Sequence, residues 1–146
     1  MATMTHAPSG TRHTVLVQNL GVVTVGVFLA MHGIAHSLAF FTQWQITHPK
    51  GIAYTTTLFY GKIDVGGAGI RIDGLLWLVV AAAFVVVGLR LAWLRRVEAG
   101  LIAAVTLFSL SLCVLGLTQT VVGFWIDVAV LLGLALLVIV RRRQAI

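Results

Sequence analysis

Charge is what this sequence has least of. Only 10% of its 146 residues are Asp, Glu, Lys or Arg, 60% are hydrophobic, and mean hydropathy is +1.05. A soluble domain carries about a quarter charged residues, so that class is excluded and lipid is the natural solvent. Four acidic residues stand against ten basic ones. The basic residues cluster at the ends of apolar runs and are not interleaved with stacking aromatics, which argues against a nucleic-acid partner. Cysteine occurs once, as Cys113, so neither an intrachain disulfide nor a thiolate metal cluster can form. Within its apolar run Cys113 reads as ordinary packing. Histidine occurs five times. His6 and His13 precede the first apolar run and His48 follows it, leaving only His32 and His36 inside one. Both prolines, Pro8 and Pro49, lie outside the apolar runs.

What is present is a set of long apolar runs. Residues 15–41 contain no Asp, Glu, Lys or Arg, and at about 1.5 Å per residue such a helix crosses a roughly 30 Å hydrocarbon core. Residues 1–14, polar and containing Pro8, Gly10 and Arg12, read as a disordered leader. The run after them is longer than the roughly 7 to 15 apolar residues of a cleavable signal peptide. Residues 42–73 change character, with Pro49, Gly51, Gly61, Gly66, Gly67 and Gly69 among charged residues and strand formers from Tyr54 to Tyr60. A long external loop with a short hairpin is expected there, either as a functional cap or as a plain linker. Its glycines do not make a phosphate loop, having neither a preceding buried strand nor a Lys-Ser/Thr pair. Further helices are expected over 74–93, 99–117 and 124–140, with Arg90 interrupting the second and a break between Thr118 and Gly123.

The fold class is therefore all-α, an integral membrane four-helix bundle in a single domain, 15–146, with a long extracytoplasmic loop between helices one and two. In a four-span topology Arg12, Arg90, Arg95, Arg96, Arg141, Arg142 and Arg143 fall on one side, and Lys50, Lys62 and Arg71 on the other. By the positive-inside rule both termini are cytoplasmic, in a multi-pass protein of the cytoplasmic membrane. Trp44, Trp77 and Trp125 then lie towards the outer interface and Trp93 towards the inner one.

The chemistry gathers on the first helix. At about 100° per residue, Gln18, His32, His36 and Gln43 share one narrow sector. The same topology brings Asp73 at the start of helix two, Gln119 at the end of helix three and Asp127 in the first turn of helix four to the outer half. His32, His36, Asp73, Gln119 and Asp127 are thus the candidate ligand-binding residues. His32 and His36 can reach one ion, and with Asp73 or Asp127 they make a donor set suited to a divalent transition metal such as zinc, iron or copper. Proton transfer through imidazole, a lipid headgroup or quinone site, and histidines that simply bond to water, a carbonyl or a facing helix are the other readings. Haem held by this pair within one chain is disfavoured, because axial ligands approach from opposite faces of the ring. Membrane desaturases need several histidine boxes for two irons, and the absence of histidine from helices two to four removes that class.

Structural roles stand beside these. Asp73 before Gly74-Leu75-Leu76 is placed as an N-cap, Asp127 gains from the helix dipole, and Gln119 is a turn residue. Gly26, Ala30, Gly33 and Ser37 form a small-residue stripe that lets membrane helices approach closely, a candidate surface for a homo-oligomer or a larger membrane complex.

Three stretches carry a resemblance: Met31-His32-Gly33-Ile34-Ala35-His36-Ser37-Leu38-Ala39-Phe40, the loop end from Gly61 through Arg71, and Gly74-Leu75-Leu76-Trp77-Leu78. Together the chain resembles a group of small, uncharacterised bacterial four-helix membrane proteins with an H-G-x-x-H first helix, a glycine-containing loop and a G-x-x-W-L helix. Members are often labelled hypothetical membrane proteins or permeases. The resemblance implies that His32, Gly33 and His36 are the signature residues. The function expected is ligand or metal binding in a His/Asp pocket near the outer leaflet. A structural or accessory subunit and a lipid- or quinone-directed membrane enzyme are the alternatives. No residue is assigned a catalytic role, and the reading leans against an enzyme.

Overall fold

The computed structural model of the protein describes residues 9–144, with residues 9–18 and Leu117 described by their backbone alone. Leader residues 1–8, with His6, and the side chain of Gln18 lie outside the described residues. Four helices follow one another: α1 (Ser9–Gln43), α2 (Gly66–Leu94), α3 (Ala99–Leu115) and α4 (Leu117–Gln144). A hairpin of β1 (Thr57–Leu58) and β2 (Ile63–Asp64) stands between α1 and α2. The expected all-helical class is what the chain adopts. Stretches of 25, 29 and 27 residues in α1, α2 and α4 are long and apolar enough to cross a membrane. α3 is also apolar but has 17 residues, about 26 Å, which falls short of a roughly 30 Å core. Three of the four expected spans therefore have the length that spanning needs.

The boundaries differ from the expected ones for physical reasons. α1 starts at Ser9, so residues 9–14 are helix and not leader; once the apolar run has nucleated a helix, adding residues at its end costs little. α2 starts at Gly66 and not at residue 74. Gly66, Gly67, Gly69 and Gly74 each cost about 1 kcal/mol in a helix, but this first part of α2 buries Ile70, Asp73 and Gly74, and packing overrides propensity. Its start is held by Asp64, whose carboxylate accepts the Gly66 N–H at 2.9 Å. Asp73 is thus not an N-cap but an interior helix residue. The break between α3 and α4 is Gly116 alone. Thr120 Oγ1 lies 2.8 Å from the carbonyl of Cys113 and 2.9 Å from that of Gly116, so it serves the carbonyls left open at the end of α3. Its own backbone, at φ −113° and ψ 17°, kinks the first turns of α4.

The loop between α1 and α2 is a cap held against the helix ends. The Phe59 N–H donates to the Leu115 carbonyl at 2.9 Å, and Gln119 Nε2 donates to the Ala53 carbonyl at 2.9 Å. Trp44 Nε1 donates to the Arg71 carbonyl at 3.2 Å. The hairpin reverses through Phe59, Tyr60 and Gly61, all with positive φ.

α1 packs most extensively on α2, and glycine sets how closely. A Cβ at Gly26 would stand 2.6 Å from the Gly88 carbonyl oxygen, and one at Gly33 would stand 2.7 Å from that of Ala81. Gly26, Ala30 and Gly33 are buried, while the Ser37 hydroxyl bonds back to the Ile34 carbonyl. Gly26, Ala30 and Gly33, three residues of the small-residue stripe, are therefore covered by α2 of the same chain. Leu29, Trp77, Val80, Phe84, Ile102 and Leu112 form the core around this crossing. Trp77 is 2% exposed, a core residue and not an interfacial one; Trp44, Trp93 and Trp125 are exposed.

Candidate metal centre

On α1 the helical period places His32 directly below His36, and both rings turn inwards. The His32 and His36 Nε2 atoms are 3.0 Å apart. His32 Nε2 is also 3.0 Å from Asp127 Oδ1 on α4, and His36 Nε2 is 3.1 Å from Ser109 Oγ on α3. The second carboxylate oxygen, Asp127 Oδ2, accepts the Cys113 thiol at 3.7 Å. α2 supplies the aromatic floor, with Phe84 edge-on to His32 at 5.0 Å and Trp77 at 5.0 Å from His36. His32, His36 and Asp127 are 7%, 8% and 0% exposed. Their ligand atoms all lie within 4.8 Å of one another.

His32 Nε2 meets two partners, Asp127 Oδ1 and His36 Nε2, at the same distance of 3.0 Å. Each Nε2 has one in-plane site, carrying either a proton or a lone pair. If His32 Nε2–H donates to Asp127, it has no lone pair for His36. If it accepts a proton from His36, the carboxylate faces a lone pair. With the carboxylate ionised, each assignment leaves one of the two contacts at His32 Nε2 without a proton of its own, and a cation held by the His32, His36 and Asp127 atoms would relieve it. The two separations of 3.0 Å at His32 Nε2 suit such an ion, since ligands about 2.1 Å from a metal stand roughly 3.0 Å apart at right angles and about 3.4 Å apart in a tetrahedron, and the whole set lies within 4.8 Å.

No family model, curated protein or solved structure matches this chain. The atoms of the cluster are what speak for its chemistry.

The five candidate residues separate into two groups. His32, His36 and Asp127 come together as the sequence pattern led one to expect. Asp127, however, lies ten residues into α4, beyond the first turn over which the helix dipole acts. Asp73 and Gln119 are elsewhere. Asp73 Oδ2 accepts Gln43 Nε2 at 2.7 Å and Trp77 Nε1 at 3.1 Å, and Gln119 clasps the loop. Both line a small cavity of about 60 Å³ under the cap, with Trp77 also in its wall. Asp73 is accordingly a structural acceptor. Asp73→Ala should cost about 1 to 3 kcal/mol by leaving the Trp77 and Gln43 donors without a partner, yet metal content should stay at the wild-type level. Thermal unfolding and metal analysis of the same preparation check both halves.

Sequence reasoning missed Ser109, Cys113 and Phe84 as neighbours of the histidines. Thr106, Ser109 and Cys113 are all buried on α3, and their i, i+3, i+7 spacing marks one small, polar helix face. That stripe was the available signal. Gly123 of α4 lies close by, where a Cβ would stand 3.4 Å from both Cys113 Sγ and His36 Cε1.

Proposed function

We propose that the chain is an integral membrane protein that binds one divalent transition metal ion, zinc or ferrous iron, through His32 Nε2, His36 Nε2 and Asp127. The observation that carries this reading is the convergence of three buried groups that offer ligand atoms, with His32 Nε2 3.0 Å from both Asp127 Oδ1 and His36 Nε2. Two imidazoles and one carboxylate are a donor set for either metal. Ser109 and Cys113 stand beside this set, against His36 Nε2 and Asp127 Oδ2.

Membrane insertion is supported by the three long apolar helices and by outward-facing apolar side chains along α2, among them Val79, Val86 and Leu89, each more than half exposed. In water such a surface would be far outside the normal range for a monomer. The excess of arginine at the ends of α2 and α4 supports a cytoplasmic placement of both termini in the cytoplasmic membrane. We further propose that His32, Gly33 and His36 are a signature shared with the small bacterial four-helix membrane proteins that the chain resembles.

Metal analysis of protein purified without a histidine tag should find close to one ion per chain. His32→Ala, His36→Ala and Asp127→Ala should each remove it while circular dichroism stays helical. A folded wild-type protein that takes up no zinc or iron from supplemented medium would sink the assignment.

A further inference from the structure

Away from the cluster, towards the arginine-bearing ends of α2 and α4, the four helices do not close on one another. They leave an apolar cavity of about 540 Å³. Its walls include Val25 and Leu29 of α1, Leu91 of α2, Ile102 of α3 and Leu134 of α4. Gly21 and Gly133 also face it, and a Cβ added at either would meet nothing within 4 Å. Phe28 lines it too and stacks on His32 with ring centroids 6.3 Å apart. Ile126, next to Asp127, is also in the wall, so this end of the cavity borders the histidine cluster.

We propose that this cavity holds one acyl chain of an anionic phospholipid, whose phosphate is bound by the arginines at the open end. The proposal rests on the membrane reading and is independent of the metal. Its first support is size and chemistry. An apolar cavity of about 150 Å³ admits one benzene ring, so this one has room for roughly twenty carbons, a single hydrocarbon chain. A second copy of a helix, about 10 to 12 Å across, would need a groove running the full helix length, and this one ends at the histidine cluster.

The second support is charge complementarity at the mouth. Val97 lines the cavity and adjoins Arg95 and Arg96, both exposed. On α4, Leu137 lines it one turn before Arg141, and Arg141, Arg142 and Arg143 are exposed. Glu98 is engaged by Arg90 at 2.7 Å. Among the described residues no carboxylate pairs with the other five arginines. A phosphate with its chain in the cavity would sit among them, with guanidinium groups suited to bind it.

The test is native mass spectrometry of the detergent-solubilised full chain, incubated with phosphatidylglycerol or phosphatidylcholine. One phosphatidylglycerol adduct is expected, with at least a ten-fold preference over phosphatidylcholine. Arg95→Ala combined with Arg96→Ala should cut that preference several-fold. Gly133→Phe, which fills the cavity, should remove the adduct, and Val25→Trp from the opposite wall should do the same if Gly133→Phe fails to fold. Absence of an adduct, equal binding of the two lipids, or an adduct unchanged by the filling variants would overturn the proposal. So would a dimer that the filling variants disrupt, since the occupant would then be a second copy. Alkaline carbonate extraction is run alongside: release of the chain from membranes would show that the membrane reading itself had failed.

Discussion

Gly88→Val should leave little or no folded protein, the largest effect expected of any single substitution in the chain. At the crossing of α1 and α2, a Cβ on Gly88 would overlap the Gly26 carbonyl oxygen and stand 2.6 Å from the Ala30 nitrogen. Both obstacles are backbone atoms, so no rotamer change can move them away. The two helices must separate instead. Over-packing that side chains can absorb costs about 1 to 3 kcal/mol. Here the separation also loosens Leu29, Phe84, Val87 and Leu91 around the crossing, and burial of each large apolar side chain is worth about 1.5 to 3 kcal/mol. Two such losses approach the lower end of the about 5 to 15 kcal/mol that holds a typical domain together. The molecule carries its own reporter, because Cys113 is its single cysteine and is fully buried. A thiol-reactive dye should label Gly88→Val at low temperature and wild type only on heating. Gly21→Val, where the added atoms meet open space, should behave as wild type. A Gly88→Val protein that protects Cys113 as well as wild type does would show that the helices do not cross as closely as described.

The same crossing shows which parts of the structure could be read from sequence. The apolar runs announced the helices, since nothing but burial in lipid or protein tolerates residues 15–41 without charge. The α-helical period placed His32 and His36 on one face, and chain topology brought Asp127 to them. What sequence could not supply was the partner of each face. Gly26, Ala30 and Gly33 signalled close helix approach, but the stripe does not say whether the approaching helix is in the same chain. Gly88, its actual counterpart, stands alone among valines and leucines and gives no pattern of its own. Asp73 was misplaced because four glycines between residues 66 and 74 mimic a loop, whereas tertiary burial of Ile70 and Trp77 makes them helix. The depth of Asp127 was misjudged because a turn of one residue, Gly116, joins α3 to α4, where Thr118, Gln119 and Thr120 suggested a longer one.

Removing the metal should lower the thermal midpoint of the wild-type protein, and Asp127→Asn should make the chain indifferent to chelator. An ion that binds only the folded state stabilises it by about 2.7 kcal/mol when its free concentration is 100 times the Kd. Without the ion, His32 Nε2 has one in-plane site for two partners, His36 Nε2 and Asp127 Oδ1, each 3.0 Å away, so the metal-free state keeps a buried, imperfectly satisfied contact. Asparagine is the informative replacement. It has the volume of aspartate and can still accept a hydrogen bond from His32, so the metal-free baseline should move by no more than about 1.5 kcal/mol. What it lacks is the charge that a divalent ion beside two neutral imidazoles requires. Asp127→Leu is the contrasting case, because it leaves His32 and the Cys113 thiol, now bonded to Oδ1 and Oδ2, without an acceptor. It should lose metal and stability together. Scanning calorimetry in detergent, with and without a membrane-permeant chelator and with metal content measured in each sample, separates these outcomes. A fully loaded wild-type protein whose midpoint does not move when the ion is stripped would mean that the ion sits elsewhere than between His32, His36 and Asp127.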